Sequence, residues 1–162
     1  MIKETIRRNS IILIFSLLAF SCSSDVIFLD SVSMPEKNWS LTNEPVFRIP
    51  IENTSVSTDV SFSIRTGSGY PFRNIYLFVN TLSPDGKSLT DTLQFYLADE
   101  KGNWLGKGFG DVHELKLPYR TNVFFPEKGI YQVKVQHGMR AGDLKDVYDL
   151  GIRVEKHITE KR

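Results

Sequence analysis

The residue of this sequence with the most definite chemistry is its single cysteine, Cys22. It follows a basic start and the apolar run 11–20, which is too short to span a bilayer, since a helical span takes about 20 residues. A charged start before a short apolar run is typical of a secretory signal. Ser21 supplies the small residue that cleavage requires directly before the cysteine. The pattern predicts a lipoprotein signal peptide over residues 1–21 and diacylation of the Cys22 thiol.

Lipidation would attach the protein to a membrane, because each buried methylene contributes about 0.8 kcal/mol. The alternative is an ordinary signal peptide followed by an incidental cysteine. One cysteine excludes an internal disulfide and a cysteine-based zinc site. Ser23 and Ser24 stand where enterobacterial lipoproteins retained in the inner membrane carry aspartate. We therefore expect an outer-membrane lipoprotein, facing the periplasm rather than the cell surface, with a lipidated tether over 22–25 and one domain over 26–162.

Histidine is the next side chain suited to catalysis or metal binding, and the chain has three: His113, His137 and His157. A nucleophilic site needs histidine beside a serine or threonine and an orienting carboxylate. No nucleophile elbow, HExxH motif or phosphate-binding glycine loop is present. We expect surface or strand-face histidines, and no enzyme, metal or cofactor. A hydrolase would require a serine–histidine pair or paired carboxylates that only folding brings together.

Aromatic residues offer a second kind of site. Trp39 and Trp104, with Tyr70 and Tyr119, could form a platform on which a sugar ring stacks, which makes a glycan-binding protein the alternative function. The favoured interpretation is that these rings fill the core and the bases of loops. A calcium site would need a denser group of carboxylates than isolated turn aspartates such as Asp85, Asp99 and Asp111 provide, since aspartate is common in turns anyway.

The segment 103–111 has the most unusual composition. Its glycines, Gly106, Gly108 and Gly110, alternate with other residues and permit a bend or close backbone approach. Trp104, Phe109 and Asp111 belong to the same segment, which predicts a docking surface for another protein. The equal alternative is a structured loop whose aromatic rings fold back onto the core.

These residues must be held by a framework that is almost entirely strand. Apolar and polar residues alternate with a period of two, which indicates half-buried strands. The alternating segments are 60–65, 92–97, 131–136 and 148–155, and Val26 to Leu29 begins the series. The apolar run 75–79 predicts a central strand covered on both faces. Pro45 and Pro50 predict that the segment between them is an edge strand, because proline has no N–H to donate to a neighbouring strand.

Turn chemistry separates the strands. The segments 83–86, 99–102 and 126–129 each end in glycine and indicate hairpins, whereas 137–147 could hold one helical turn. The sequence therefore predicts an all-β chain: a single antiparallel β-sandwich, Ig-like or jelly-roll-like, with eight or nine short strands.

Charge and composition limit the classes of partner that the protein can bind. The hydrophobic fraction of 41% is enough for a packed core. The full chain carries 20 basic and 19 acidic side chains, and loss of Lys3, Glu4, Arg7 and Arg8 with the signal turns its net charge from +1 to −1. Such a charge gives no electrostatic basis for binding nucleic acid. We expect a membrane, through Cys22, and other proteins as partners.

Several segments together resemble the gliding-motility lipoprotein GldH family of Bacteroidetes. They are 70–79, 83–87, 91–93, 97–99, 102–111, 125–126 with Gly129 and Tyr131, 139–140 and 150–154. The resemblance implies a lipid-anchored envelope protein, an accessory component of the gliding machinery linked to type IX secretion. Its partners would be other gliding or secretion proteins of the envelope. The resemblance implies no catalytic residues, and only the lipidated cysteine carries over, onto Cys22.

Overall fold

The computed structural model describes residues 25–159, so the signal segment and Cys22 lie outside the described residues. The strands are β1 (Val26–Ser33), β2 (Asn38–Ser40), β3 (Val46–Ile51), β4 (Thr58–Gly67), β5 (Asn74–Leu82), β6 (Ser88–Tyr96), β7 (Lys107–Phe109), β8 (Val112–Val123), β9 (Gly129–His137), β10 (Asp143–Lys145) and β11 (Val147–Lys156). Within residues 25–159 the one helical segment is a 3-10 turn over Pro35–Lys37. No helix in this range is long and apolar enough to cross a membrane.

Nine of the strands form two antiparallel sheets. The larger sheet has the order β1-β11-β4-β8-β7, the smaller has the order β3-β9-β5-β6, and β2 pairs with β10 in a separate ribbon. The prediction of an all-β antiparallel sandwich is confirmed. The described chain has eleven strands rather than eight or nine, because β2, β7 and β10 contribute three residues each.

The core lies between the sheets and is built by the alternation seen in the sequence. On the larger sheet Phe62 of β4 lies opposite Ile152 of β11, and Ile64 lies opposite Leu150. All four side chains are buried. The facing sheet contributes further buried side chains, namely Phe47, Ile49, Ile75, Leu77, Val79, Tyr131, Val133 and Val135. Full burial of one such side chain contributes about 1.5–3 kcal/mol, so this layer fixes how the sheets pack.

The β2–β10 ribbon contributes buried side chains to the same hydrophobic core. Leu144 of β10 lies opposite Trp39 of β2, and both are fully buried. The prediction of a helical turn within 137–147 was wrong. Its apolar spacing reflects the burial of Leu144 against β2 in an extended strand, and not a helical face.

The strand β5 has its predicted central place but not its predicted burial. It pairs with β6 on one side and β9 on the other. Its outer face is open, because Tyr76 is 37% and Phe78 is 42% exposed. Cover on both faces was therefore a wrong prediction: an apolar run does not distinguish a buried ring from one that lies on the solvent face of a sheet.

Two of the three segments predicted to be hairpin turns form such turns. Ser83–Gly86 belongs to the loop between the paired strands β5 and β6, with Gly86 at φ 85°. The turn that begins at Asp99 closes a short antiparallel bridge between Ala98 and Trp104, and the Asp99 carboxylate accepts hydrogen bonds from the backbone N–H groups of Lys101 and Asn103, both at 2.8 Å. The segment 126–129 is not a hairpin, because it links β8 of the larger sheet to β9 of the smaller one.

Candidate functional site

The predicted docking segment forms the approach to a hairpin of β7 and β8 and includes its tip. Phe109 at the end of β7 lies opposite Val112, so Gly110 and Asp111 make a two-residue turn. Gly110 has φ 61°, and such turns favour glycine at the first position. Phe109 is 96% exposed, and Leu105 before β7 is 54% exposed. The hairpin therefore presents apolar side chains directly to solvent.

Two glycines of the hairpin are required by close packing. A methyl group at Gly106 would overlap the backbone carbonyl oxygen of Glu114. One at Gly108 would lie 2.5 Å from Nδ1 of His113 and 2.9 Å from the carbonyl oxygen of Val112. The spacing of these glycines thus lets β7 lie tightly against β8.

The base of the hairpin is held by aromatic stacking. Trp104 stacks on His113 with ring centroids 5.0 Å apart and planes 14° apart, and lies 6.4 Å from the ring of Tyr70. The backbone N–H of Ser68 donates to the carbonyl oxygen of Asp111 at 3.0 Å. Trp104 therefore folds back onto the domain, whereas the side chain of Phe109 projects from it into solvent. That the tip is a docking surface stays a prediction.

A serine–histidine contact lies at the same base, and sequence reasoning missed it because 45 positions separate the residues. Oγ of Ser68 is 3.4 Å from Nε2 of His113, which is long for a hydrogen bond. Among the described residues no carboxylate forms a hydrogen bond with His113. The arrangement thus lacks the orienting group of a catalytic triad.

The other candidate ligand residues are dispersed. Trp39 is buried and donates from Nε1 to the carbonyl oxygen of Asn43 at 2.8 Å, so it cannot meet a sugar. Tyr119 packs on Phe62 and donates to Asp91 at 2.6 Å, away from Trp104. The four predicted aromatic residues therefore do not form one platform.

The turn aspartates make local contacts. Hydrogen bonds from Lys87 and Ser83 lower the pKa of Asp85 to about 2. Hydrogen bonds from the side chain and backbone of Asn103 lower the pKa of Asp99. Within residues 25–159 no three His, Cys, Asp or Glu side chains come together in a way that could hold a metal ion.

An exposed aromatic group lies instead on the outer face of the smaller sheet. Tyr76 and Phe78 share this face with Tyr96, which is 51% exposed. The guanidinium of Arg73 lies 5.0 Å from the centre of the Tyr96 ring. Two of these rings belong to the apolar run 75–79, in which the sequence does not distinguish exposed from buried aromatic residues.

His137 is fully buried, edge-on to Trp39 at a ring distance of 5.4 Å. Neither ring nitrogen forms a hydrogen bond within the described part of the chain. Burial lowers the pKa of His137 from its ordinary 6.5, and the nearby backbone groups of Trp39 and Gly142 and the charge of Asp143 oppose this only in part. The fold therefore holds the imidazole neutral.

We expect this burial to make stability fall in mild acid. Below pH 6.5 the unfolded chain binds a proton at His137 more readily than the folded chain does, so the free energy of unfolding drops as the pH falls toward the folded-state pKa. His137→Phe keeps an aromatic ring beside Trp39 and removes the titration. Thermal unfolding at about pH 7.5 and about pH 5 should give a smaller loss for the variant than for the wild type. Equal losses would contradict the assignment.

Comparisons with known proteins agree with the resemblance seen in the sequence. A family profile described as GldH lipoprotein matches residues 26–154. The chain is 33% identical over 153 residues to a protein of Christiangramia forsetii named gliding motility lipoprotein GldH homolog, covering 90% of this chain and 93% of that one. It is 29% identical over 158 residues to gliding motility lipoprotein GldH of Flavobacterium johnsoniae, covering 93% and 98%.

Among solved structures, the infectious bursal disease virus VP2 subviral particle aligns with a TM-score of 0.37 at 14% identity, over 85% of this chain and 34% of that one. A similarity this low carries no argument about function. The family match covers the sandwich from its first strand to its last, including the hairpin segment. The chain belongs to the GldH lipoprotein family.

Proposed function

We propose that this protein is a non-enzymatic lipoprotein of the cell envelope that serves the gliding machinery, linked to type IX secretion, through contacts with other proteins. Two relatives that align with 90% and 93% of this chain are named a gliding motility lipoprotein GldH homolog and gliding motility lipoprotein GldH. We further propose that acyl chains on Cys22 hold it on the periplasmic face of the outer membrane. The domain works there as an adaptor and takes part in no reaction.

The observation that carries the contact role is the hairpin tip. Phe109 is 96% exposed, although removing an aromatic side chain of this size from water is strongly favourable. Anchors of protein interfaces are commonly aromatic residues that fill a pocket of the partner. The hairpin base is fixed by Trp104 and His113, so the tip needs little ordering when it binds.

The position of the hairpin suits an anchored adaptor. The strand β1, which follows Cys22 closely in the chain, is the edge of the larger sheet, and β7 is the opposite edge. The first strand of the domain and the hairpin tip therefore belong to opposite edges of the larger sheet. A protein held by its β1 side presents Phe109 away from its anchor.

Replacing Cys22 with serine should abolish attachment to the membrane, because the acyl chains are the proposed anchor and a serine hydroxyl does not receive them. We expect the wild-type protein to incorporate labelled palmitate and to sediment with membranes, and Cys22→Ser to do neither. Palmitate labelling followed by membrane fractionation measures both. Retained label in the variant would show that another residue is acylated and that Cys22 is not the anchor.

Replacing Phe109 with serine should impair function and leave folding intact. The side chain makes almost no contact within the described domain, so we expect wild-type protein levels with reduced colony spreading and reduced type IX secretion in a complemented deletion strain. Leu29→Ser is the matched control, since Leu29 is 61% exposed on the opposite edge strand. Normal spreading with Phe109→Ser, or equal defects in both variants, would oppose the proposal.

A second candidate function is glycan binding, favoured by the aromatic group on the outer face of the smaller sheet. Tyr76, Phe78 and Tyr96 are partly exposed beside the polar residues Gln94 and Thr92, a combination suited to a neutral sugar chain. A glycan array with the wild-type protein and Phe78→Ala tests it. Glycan binding by the wild type that is weaker in Phe78→Ala would support this function. Absence of binding by the wild type would contradict it.

A further inference from the structure

The two sheets end in four edge strands, and three of them carry features that oppose pairing with another strand. The register of β1 is broken between Val26 and Phe28. The strand β3 contains Pro50, which has no N–H to donate, and β7 is only three residues long. Irregularity, proline and shortness are the means by which natural sheets protect their edges.

The fourth edge, β6, has none of these features. Its nine residues pair with β5 in unbroken register from Asn74 opposite Tyr96 to Leu82 opposite Ser88. It contains no proline, lysine or arginine, and within residues 25–159 it pairs with β5 alone. One edge of its backbone is thus a regular row of N–H and C=O groups, which is a template for a further strand.

The single charge of β6 does not obstruct such pairing. Asp91 points into the sandwich and accepts hydrogen bonds from Tyr119 at 2.6 Å and from Arg120 at 2.7 Å, both on β8. These contacts also place β6 over β8, whereas β1 contacts β3 on the other side of the sandwich. The first strand of the domain therefore does not lie beside the β6 edge.

The sequence of β6 is complementary to itself when two copies run antiparallel. Thr92 is its midpoint, so a two-fold axis there pairs all nine residues. In this register the 54% exposed Leu89 of each copy lies opposite Phe95 of the other, and Asp91 lies opposite Leu93. An axis at Asp91 would instead place like charges directly opposite each other and shorten the overlap.

We propose that β6 pairs with β6 of a second copy of this chain, around a two-fold axis at Thr92, to join the smaller sheets of the two copies. The contact is isologous and closes on itself, so it yields a dimer and no filament. Attachment of both copies to one membrane raises their effective concentration and favours the pair. This inference concerns a different edge from the hairpin tip and does not depend on the gliding role.

Disulfide trapping in membranes that hold the full-length protein tests the register. Two copies of Thr92→Cys would face each other with Cα atoms about 4.5–5.5 Å apart, within disulfide range. In Gln94→Cys the two cysteines would be about 14 Å apart along the strands. After mild oxidation we expect about tenfold more disulfide-linked dimer from Thr92→Cys than from Gln94→Cys. The wild type, whose sole cysteine is Cys22, sets the background.

Equal trapping of the two cysteine variants, or none, would overturn the proposal. So would adducts of Thr92→Cys with a different protein and no dimer. The mass of the detergent-solubilised protein supplies a measurement that needs no disulfide. We expect a dimer for the wild type and for the control Ser88→Lys, whose lysine would lie opposite Tyr96 of the other copy. We expect a monomer for Thr92→Lys, because its two lysines would lie opposite each other and repel. A monomeric wild type would also overturn it.

Discussion

Trp39→Ala is expected to lower the free energy of unfolding by about 3–5 kcal/mol, the usual cost of removing a large buried aromatic side chain. The ring is fully buried, and it holds β10 against β2 and packs edge-on to His137. A domain of this size has a total stability of about 5–15 kcal/mol, so the variant should be close to unfolding at growth temperature. Urea denaturation, followed by far-ultraviolet circular dichroism, measures the change.

Trp39→Phe provides the matched control. It keeps an aromatic ring in the site but loses the hydrogen bond to the carbonyl oxygen of Asn43. We expect a loss of about 1–3 kcal/mol, smaller than that of alanine. If both substitutions left stability unchanged, Trp39 would not be part of the core, and the possibility that it lies on a sugar-binding surface would reopen.

Arg65→Met is expected to cost about 1–3 kcal/mol, because it leaves a buried carboxylate without its cation. Asp149 is 5% exposed on the outer face of the larger sheet. Nε of Arg65 donates to its Oδ2 at 2.6 Å, and the terminal nitrogen donates to the same oxygen. Because half of the Arg65 side chain is exposed, water moderates the penalty below that of a fully buried pair.

A second substitution distinguishes this charge effect from lost packing. Asp149→Leu in the Arg65→Met background removes the unpaired charge and should restore most of the lost stability. Lys116→Met is the control on the same sheet face, since its ion pair with Glu155 is more exposed and should change stability by about 0–1 kcal/mol. Equal losses for Arg65→Met and Lys116→Met would mean that burial of Asp149 has no energetic consequence.

The parts of the fold that followed from sequence are those where one face of a strand is buried and the other is not. In β9, Tyr131, Val133 and Val135 point inward, and their period of two predicts both the strand and its buried face. In β5 the alternation of apolar and polar residues is absent, because the aromatic residues Tyr76 and Phe78 lie on the solvent face. Composition could not reveal which face of this strand was covered.

Features of the site that depend on sheet order were not accessible from sequence. Its glycines indicate that the segment containing Trp104 and Phe109 is unusual. They do not predict that the Trp104 ring packs inward and the Phe109 ring projects into solvent. The contact of Ser68 with His113 depends on β7 and β8 lying beside the end of β4. The unprotected β6 edge appears only once its position at the end of the smaller sheet is known.

Site-specific photocrosslinking in living cells can show whether the hairpin tip contacts another envelope protein. A photoreactive phenylalanine analogue at position 109 leaves the ring in place and reports what lies within reach of it. We expect a discrete adduct with another protein at this position, and none when the analogue replaces Leu29 on the opposite edge. No adduct at position 109, or the same adducts at both positions, would contradict it.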